Sequence, residues 1–234
     1  MENEKITAIV LAGGSGKRMG GDCKKQYMLL GQKPILYYSL KTFQESCVNE
    51  IVLVTNEPEY CTKEIIQKYG LDKVTKIVPG GAERYHSVYA GLQAAEGCGY
   101  VLIHDGARPF VTETMIQDSL TAVKEYQACI IGMPVKDTIK VADEKGFAAQ
   151  TPERAKVWQI QTPQTFSYPL IWKAYQKVLK EEPAGITDDA MVVEYSNSAK
   201  VKLIRGNYEN IKITTPEDIE IAELFLKKVV DKSL

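Results

Sequence analysis

Residues 6–21 of the 234-residue chain read ITAIVLAGGSGKRMGG. The first six, Ile6–Leu11, are apolar or β-branched, which is typical of a short strand buried on both faces of a parallel sheet. A glycine-rich loop that carries Lys17 and Arg18 follows at once. Glycines let a backbone approach a ligand closely and turn several N–H groups toward it, which suits phosphate oxygens. The segment therefore predicts a buried strand that ends in an anion-binding loop.

Short apolar runs continue to alternate with amphipathic segments through the first half of the chain. Four further runs have the length and the Val, Ile and Leu content of buried strands: Ile51–Thr55, Lys76–Pro79, Tyr100–Ile103 and Cys129–Pro134. Between two of them, Ser87–Glu96 has helical spacing, with Val88, Gly91, Leu92 and Ala95 on one face. Strand–helix alternation is typical of βαβ units. We therefore expect an α/β fold with a Rossmann-like, mostly parallel sheet flanked by helices.

The middle of the chain departs from this rhythm. Val135–Val141 alternates as a strand does, residues 143–146 (DEKG) favour a turn, and Phe147–Gln161 has no helical face. We interpret residues 136–160 as an extended β-arm that projects from a single domain spanning residues 1–234. Such an arm is exposed unless a partner covers it, so we expect a homodimer formed through the arm.

The last segment has a clear helix start. Thr215 is a capping residue and Pro216 takes the first helical position, with two acidic residues after it. The expected buried stripe of this helix consists of Ile219, Ala222, Phe225, Leu226 and Val229.

Composition and charge narrow the class of protein. The chain is 44% hydrophobic and 25% charged, with a net charge of -1, which is ordinary for a soluble globular protein and does not indicate nucleic-acid binding. The five cysteines are scattered and the histidines number two, which disfavours a zinc site and favours reduced thiols. The acidic start MENEK does not resemble a signal peptide, and the run at Ile6 is too short to cross a membrane. We expect a cytoplasmic protein without membrane or nucleic-acid partners.

The glycine-rich loop does not match either familiar nucleotide motif. Walker A requires Ser or Thr after Gly-Lys, but Arg18 follows Lys17, and Leu11 replaces the first glycine. A dinucleotide fingerprint requires a small residue where Met19 stands. The loop nevertheless concentrates Lys17, Arg18, Lys24 and Lys25, which favours a polyphosphate site over a solvated basic loop.

Two further segments follow predicted strands. Residues 79–84 (PGGAER), with Ser87 after them, could read a base edge with backbone groups or form an ordinary β-to-α turn. Asp105 ends the strand VLIHD, where open parallel sheets bind ligands and where a carboxylate suits Mg²⁺. The alternative is a turn in which Arg108 pairs with Asp105. His104 is interpreted as a packed or hydrogen-bonded histidine.

Polar residues near the C-terminus have simpler interpretations. Asp188 and Asp189 precede an apolar segment and are interpreted as a helix N-terminus. Lys212 alternates with Ile211 and Ile213 in a predicted strand, so it points away from the apolar face and a solvated lysine is one interpretation.

Taken in order, these segments resemble a known family. LAGGxGxRM with Lys25 and Gln26, GGxER, HDxARP, QTPQ and NIKITxPED occur together between Ile6 and Phe225, as in the 2-C-methyl-D-erythritol 4-phosphate cytidylyltransferase family. The resemblance implies a fold of the nucleotide-diphospho-sugar transferase type. It also implies transfer of CMP from CTP to methylerythritol phosphate with Mg²⁺ as cofactor.

The resemblance also implies roles for residues at matching positions. The catalytic set would be Arg18, Lys25, Arg154 and Lys212, with Asp105 linked to the metal. CTP would be bound by Ala12, Gly13, Gly14, Ser15, Gly16, Lys17, Pro79, Gly81, Ala82, Arg84, Ser87, Asp105, Gly106 and Ala107. The acceptor would contact Thr138, Arg154, Thr162, Thr187 and Lys212, and in this family the arm that bears Arg154 crosses to the other subunit.

The implied chemistry needs no general base. The nucleophile would be the acceptor's own phosphate, which is largely ionised near neutral pH because its second pKa is about 6. Two alternatives stay open at the level of sequence: a ribitol 5-phosphate cytidylyltransferase, and a CTP-binding regulator without turnover.

Overall fold

The computed structural model describes residues 4–14, 24–181, 183 and 185–231. The strands are β1 Ile6–Leu11, β2 Leu29–Leu30, β3 Lys33–Pro34, β4 Glu50–Val54, β5 Val74–Val78, β6 Tyr100–Asp105, β7 Ala128–Pro134, β8 Val141–Ala142, β9 Ala148–Gln150, β10 Trp158–Ser167 and β11 Lys202–Arg205. The helices are α1 Ile35–Glu45, α2 Pro58–Tyr60 (continued by wider turns over Cys61–Gln67), α3 Arg84–Ala94, α4 Glu113–Tyr126, α5 Tyr168–Glu181, α6 Asp189–Ser196 and α7 Pro216–Asp231. Within these ranges no helix is both long and apolar enough to span a bilayer.

Seven strands form the central sheet in the order β11-β7-β10-β6-β1-β4-β5. Strand β10 is antiparallel to both of its neighbours, β6 and β7, and the other pairings are parallel. The predicted mostly parallel α/β sheet is therefore confirmed, as are the five strands predicted from apolar runs. Leu11 pairs with both Val54 and Asp105, so the carboxyl ends of β1, β4 and β6 meet at one edge.

Two apolar layers cover the two faces of the sheet, because successive side chains of a strand point to opposite sides. Ala8 and Val10 pack with residues of α1 and α4, whereas Ile9 packs with residues of α3, α5 and α6. The fully buried aromatic side chains Phe43 and Tyr175 lie in these two layers respectively. Packing on both faces holds the carboxyl ends of β1, β4 and β6 in fixed positions at their shared edge of the sheet.

Helix α3 begins three residues before the predicted start at Ser87. Arg84 thus belongs to its first turn. The predicted buried face is confirmed, since Val88, Gly91, Leu92 and Ala95 are all buried.

The predicted arm is only partly strand. Strand β7 ends at Pro134 and residues 135–140 form no strand, so the prediction of a strand over Val135–Val141 was wrong for all but its last residue. Val141–Ala142 and Ala148–Gln150 form a short hairpin around a turn that begins at Asp143, and residues 136–151 are exposed. Trp158 pairs with Pro134, so residues 158–160 already belong to the main sheet rather than to the arm. Alternation alone does not supply the partner strand that a ladder needs.

The segment around Lys212 was also wrongly predicted as a strand. Residues 206–214 contain no strand, although the Ile213 N–H donates to the Ala107 carbonyl at 2.9 Å. Helix α7 begins at Pro216 as predicted, and the Asp218 carboxylate accepts from the backbone N–H groups of Thr214 and Thr215. In its predicted stripe, Ala222 is buried and Ile219, Phe225 and Leu226 are half-buried, while the Val229 side chain is not among those described.

Candidate active site

A large cleft opens where β1, β4 and β6 end. Its volume is about 540 Å³, and it is lined by Leu11, Ala12, Gly13, Gly14, Lys25, Gln26, Asn56, Gly81, Ala82, Glu83, Arg84, Ser87, Asp105, Ala107 and Lys212. A second cleft of about 220 Å³ is lined by Arg84, Asp105, Arg108, Ile160, Gln161, Thr162, Gln164, Thr187, Asp188 and Lys212. The two clefts share Arg84, Asp105 and Lys212, so these three residues stand at their junction.

Asp105 is the electrostatic centre of this junction. Lys212 Nζ lies 2.8 Å from Asp105 Oδ2, Arg84 Nε lies 3.6 Å from Oδ1, and Arg108 Nε lies 3.8 Å from Oδ2. Burial alone would raise the pKa of Asp105, but Lys212, Arg84 and Arg108 together hold that pKa well below its usual range. Three cations therefore converge on this one carboxylate at the junction, where anionic ligands in either cleft would contact them.

A second buried carboxylate holds Arg84 in place. The Arg84 guanidinium donates from Nη1 and Nη2 to the two oxygens of Asp189 at 2.9 and 2.7 Å, a bidentate pair. Tyr175 Oη also donates to Asp189 at 2.6 Å, and Asp189 is fully buried. Although burial opposes it, the nearby carboxylates Asp189 and Asp105 raise the pKa of Arg84. The interpretation of Asp188 and Asp189 as a helix N-terminus is confirmed, because Asp188 caps α6 by accepting from the Met191 N–H.

His104 is a packed histidine, as predicted. It is fully buried, and burial lowers its pKa to about 4. The Asp105 N–H donates to the Thr162 hydroxyl at 3.1 Å, that hydroxyl lies 3.0 Å from His104 Nδ1, and His104 Nε2 lies 3.1 Å from the Arg108 carbonyl. A neutral imidazole with its proton on Nε2 satisfies all three contacts. Thr162 therefore braces the backbone at Asp105 as well as lining the smaller cleft.

The second glycine-containing loop, residues 79–84, is held in place by side-chain hydrogen bonds. Ser87 Oγ accepts from the Gly81 N–H at 3.0 Å, and Asn56 Oδ1 accepts from the Gly80 N–H at 2.9 Å. Ser87 is the fourth residue of α3, so its side chain holds the loop from the first turn of that helix.

The structure brings most of the predicted site residues together. The larger cleft contains Ala12, Gly13, Gly14, Lys25, Gly81, Ala82, Arg84, Ser87, Asp105, Ala107 and Lys212, and the smaller one contains Thr162 and Thr187. Ser15, Gly16, Lys17 and Arg18 lie outside the residues that the structure describes.

Among the described residues, four predicted ones line neither cleft. Pro79 precedes Gly80 and Gly81, and Gly106 packs against β1 and α1, where an added Cβ would lie 3.0 Å from the Leu11 carbonyl oxygen and 2.7 Å from Leu36. Thr138 and Arg154 are on the arm, and the exposed Arg154 donates to the Lys136 carbonyl at 3.3 Å.

Lys212 corrects the sequence interpretation. A strand would have directed its side chain into solvent, but the irregular backbone there places its ammonium group on Asp105. Arg108 and Asn56 also line the clefts without having been assigned a ligand role. Their signal in the sequence is position alone, since each comes shortly after the end of a central strand.

The residues described contain no cluster of three His, Cys, Asp or Glu side chains that could hold a metal ion. Mg²⁺ commonly uses one or two carboxylates and completes its shell with phosphate oxygens and water. Asp105 is a buried carboxylate that lines both clefts, so it could supply one protein ligand to Mg²⁺. Phosphate oxygens of a bound substrate and water would then have to complete the coordination shell.

Comparison with known proteins identifies the family. The family model for 2-C-methyl-D-erythritol 4-phosphate cytidylyltransferase (IspD) matches residues 6–228. The chain belongs to this family. A 2-C-methyl-D-erythritol 4-phosphate cytidylyltransferase of Lachnospira eligens is 53% identical over 225 residues, covering 94% of this chain and 99% of the relative. That of Lachnoclostridium phytofermentans is 49% identical over 230 residues, covering 97% and 99%.

Solved structures agree with this assignment. The crystal structure of 4-diphosphocytidyl-2C-methyl-D-erythritol synthase from Anaerococcus prevotii aligns with a TM-score of 0.85 at 37% identity over 96% of each chain. That of the Thermus thermophilus cytidylyltransferase aligns with a TM-score of 0.75 at 26% identity, covering 94% of this chain and 98% of the other. The resemblance inferred from sequence motifs is thus confirmed, and the chain is a nucleotidyltransferase.

Proposed function

We propose that the chain transfers CMP from CTP to 2-C-methyl-D-erythritol 4-phosphate, giving 4-diphosphocytidyl-2-C-methyl-D-erythritol and pyrophosphate. Family membership and the names of the close relatives favour this acceptor over ribitol 5-phosphate. The observation that carries the proposal is the ring of Lys212, Arg84 and Arg108 around Asp105 at the junction of two clefts. Two anionic substrates placed on either side of that junction would meet there.

CTP would occupy the larger cleft. The Gly13–Gly14 backbone and Lys25 would receive the triphosphate, and residues 79–82 would read the cytosine, since Gly81 and Ala82 line the same cavity as Gly13, Gly14 and Lys25. The Gly81 N–H donates to Ser87 Oγ, which restrains the loop. The assignment of Lys17 and Arg18 to the phosphates stays a prediction, because these residues lie outside the described ranges.

Methylerythritol phosphate would occupy the smaller cleft, with Lys212, Arg108 and Thr187 around it. An oxygen of its phosphate would form a bond to the α-phosphorus of CTP as the bond to the bridging oxygen breaks and pyrophosphate leaves. No proton needs to be removed from the nucleophile. The protein contributes alignment and positive charge, which offset the repulsion between two anions.

Mg²⁺ is the proposed cofactor, and Asp105 would provide its protein oxygen. When bound, the ion would neutralise phosphate charge that develops as pyrophosphate departs. Lys212 pairs with Asp105 and lines the smaller cleft, so its ammonium group would also face the acceptor phosphate there.

The arm supports a homodimer. Arg154 and Thr138 would contact the acceptor by family resemblance, yet both are exposed and line neither cleft of their own chain. An arm that reaches a partner's smaller cleft would reconcile these two observations.

The unpaired thiols of Cys47, Cys61, Cys98 and Cys129 support a reducing, cytoplasmic location.

Pyrophosphate release tests the reaction directly. The assay uses CTP and Mg²⁺ with methylerythritol phosphate, with ribitol 5-phosphate or with no acceptor, and a parallel series with EDTA. We expect release with methylerythritol phosphate alone, and loss of it in EDTA. Release with ribitol phosphate alone would replace the acceptor, and silence throughout would leave a CTP-binding protein without turnover.

Subunit mixing tests the arm. Arg154→Ala and Lys212→Ala proteins should each be inactive, but a re-equilibrated equimolar mixture should recover about a quarter of wild-type activity, because half of the dimers contain one intact site. A mixture as inactive as its components, or a monomeric mass by light scattering, would contradict the shared site.

A further inference from the structure

Gln26 is a buried amide at the base of the glycine-rich loop. It lies in the short 3₁₀ turn Lys25–Tyr27 and is 2% exposed. Its Nε2 donates to the Ala12 carbonyl at 2.6 Å and to the Gly14 carbonyl at 3.2 Å. A primary amide has two N–H donors, and Gln26 uses both on one tripeptide.

These hydrogen bonds determine how the peptide groups are turned. In a trans peptide the carbonyl of one residue and the N–H of the next point in opposite directions. The Ala12 carbonyl faces Gln26, so the Gly13 N–H faces away from it. On the other side, Asn56 Nδ2 approaches the Gly13 carbonyl at 3.4 Å, which turns the Gly14 N–H away from Asn56. Two side-chain amides therefore hold carbonyls of the loop and leave its N–H groups directed elsewhere.

The surroundings indicate a ligand for those N–H groups. Gly13 and Gly14 line the larger cleft, and a Cβ added at Gly14 would meet no atom within 4 Å. The neighbouring Lys25 lines the same cleft, so the turn that carries Gln26 also places a cation there. Tyr27, the next residue of the same turn, also contacts the Ala12 carbonyl, with its Oη at 3.4 Å. The Tyr27 Oη lies 2.6 Å from Thr55 Oγ1, so the turn that carries Gln26 is itself held in place.

We propose that Gln26 is a positioning residue for the polyphosphate of the nucleotide: together with Asn56, which holds the Gly13 carbonyl, it orients the Ala12–Gly14 segment so that the Gly13 and Gly14 N–H groups bind phosphate oxygens. This inference rests on the proposed function, since it assumes that the larger cleft receives a nucleoside triphosphate. Gln26 itself does not touch the reacting atoms. Its effect should appear in binding of the phosphate chain and not in recognition of the base.

The variant Gln26→Met keeps the length of the side chain and removes both donors. By calorimetry, we expect its affinity for CTP to fall about 10-fold, while its affinity for cytidine changes less than about 2-fold, because two neutral hydrogen bonds are lost. Gln26→Glu should weaken CTP binding further, since a carboxylate would face two carbonyl oxygens and add a negative charge beside the phosphates. The matched control is Gln44→Met, which removes a side-chain acceptor of the Lys73 N–H at 2.8 Å outside both clefts.

The outcomes separate this inference from the proposed function. A wild-type protein that does not bind CTP would refute the proposed function. Wild-type binding with unchanged CTP affinity in Gln26→Met, or with CTP and cytidine weakened equally, would refute the role of Gln26 alone. If the variants do not fold, titration of ¹⁵N-labelled wild-type protein with inorganic tripolyphosphate decides: the Gly13 and Gly14 amide signals should shift, and signals that stay in place would overturn the proposal.

Discussion

Replacing Asp189 with asparagine should destabilise the fold strongly, because it removes the charge that Arg84 requires. Asp189 is fully buried, and its carboxylate accepts two hydrogen bonds from Arg84 and one from Tyr175. The introduced asparagine could still accept from Tyr175, but its amide would present a donor to the guanidinium. The negative charge left near Arg84 would be that of Asp105, at 3.6 Å.

The size of the effect follows from burial. Removing one partner of a buried ion pair costs about 3–5 kcal/mol, since the other charge stays desolvated. The Arg84 side chain retains 26% exposure, which places this case at the lower end, about 3 kcal/mol. For a chain of this length each kcal/mol lowers Tm by about 2–4 °C, so we expect Tm to fall by about 6–12 °C.

Thermal unfolding followed by circular dichroism measures this change. The control is Asp143→Asn, the same chemical substitution at an exposed turn, where the side-chain oxygen accepts from the N–H groups of Lys145 and Phe147 and asparagine can do the same. The double variant Arg84→Leu/Asp189→Leu should be more stable than Asp189→Asn, because it leaves no unpaired buried charge. A Tm of Asp189→Asn within about 2 °C of that of Asp143→Asn would refute the reasoning. So would a double variant Arg84→Leu/Asp189→Leu that is no more stable than Asp189→Asn.

Three further outcomes are expected. Tm should decline as the pH falls from about 6.5 to about 4, because the pKa of His104 is about 4 in the folded protein and about 6.5 in the unfolded chain, which therefore binds one more proton in that range. The variant His104→Asn should flatten the slope of Tm against pH, and an unchanged slope would assign the slope to other groups. Gly91→Ala should destabilise by about 1–3 kcal/mol in urea unfolding, since the new Cβ would lie 2.5 Å from Ile9 Cγ2, whereas the same change in an open helix is stabilising. Arg18→Ala should lower kcat by about 1,000-fold or more with Tm retained, and a loss of less than about tenfold would exclude a role in the transition state.

Much of the fold could be predicted because its signals are local. The run at Ile6–Leu11 is bounded by charge on one side and glycine on the other, and β1 has those bounds. Pro216 likewise starts α7, because its missing N–H and restricted φ suit the first helical position. The ends of the other four predicted strands differ from the observed ends by at most two residues, since a strand extends as far as its neighbour offers hydrogen bonds.

The two wrong strands have the same cause. Val135–Val141 and the segment around Lys212 both alternate in polarity, yet alternation is only one requirement of a strand. After a single backbone hydrogen bond from the Val135 N–H to the Val157 carbonyl, the first has no partner strand until Val141, and the second is held by isolated contacts such as that of Ile213 with Ala107. Whether a ladder partner exists is a property of the assembled sheet.

The sequence by itself determined the alternating α/β architecture, the glycine loops and the strand-end aspartate, because periodicity, backbone freedom and charge are properties of neighbouring residues. Only the tertiary structure decided which charged side chains form ion pairs. Arg84 meets Asp189 across 105 residues of chain, and Lys212 reaches Asp105 from an irregular segment. Ion pairs and buried hydrogen bonds depend on a few ångströms of separation and on exclusion of water, and both are established only when distant segments pack together.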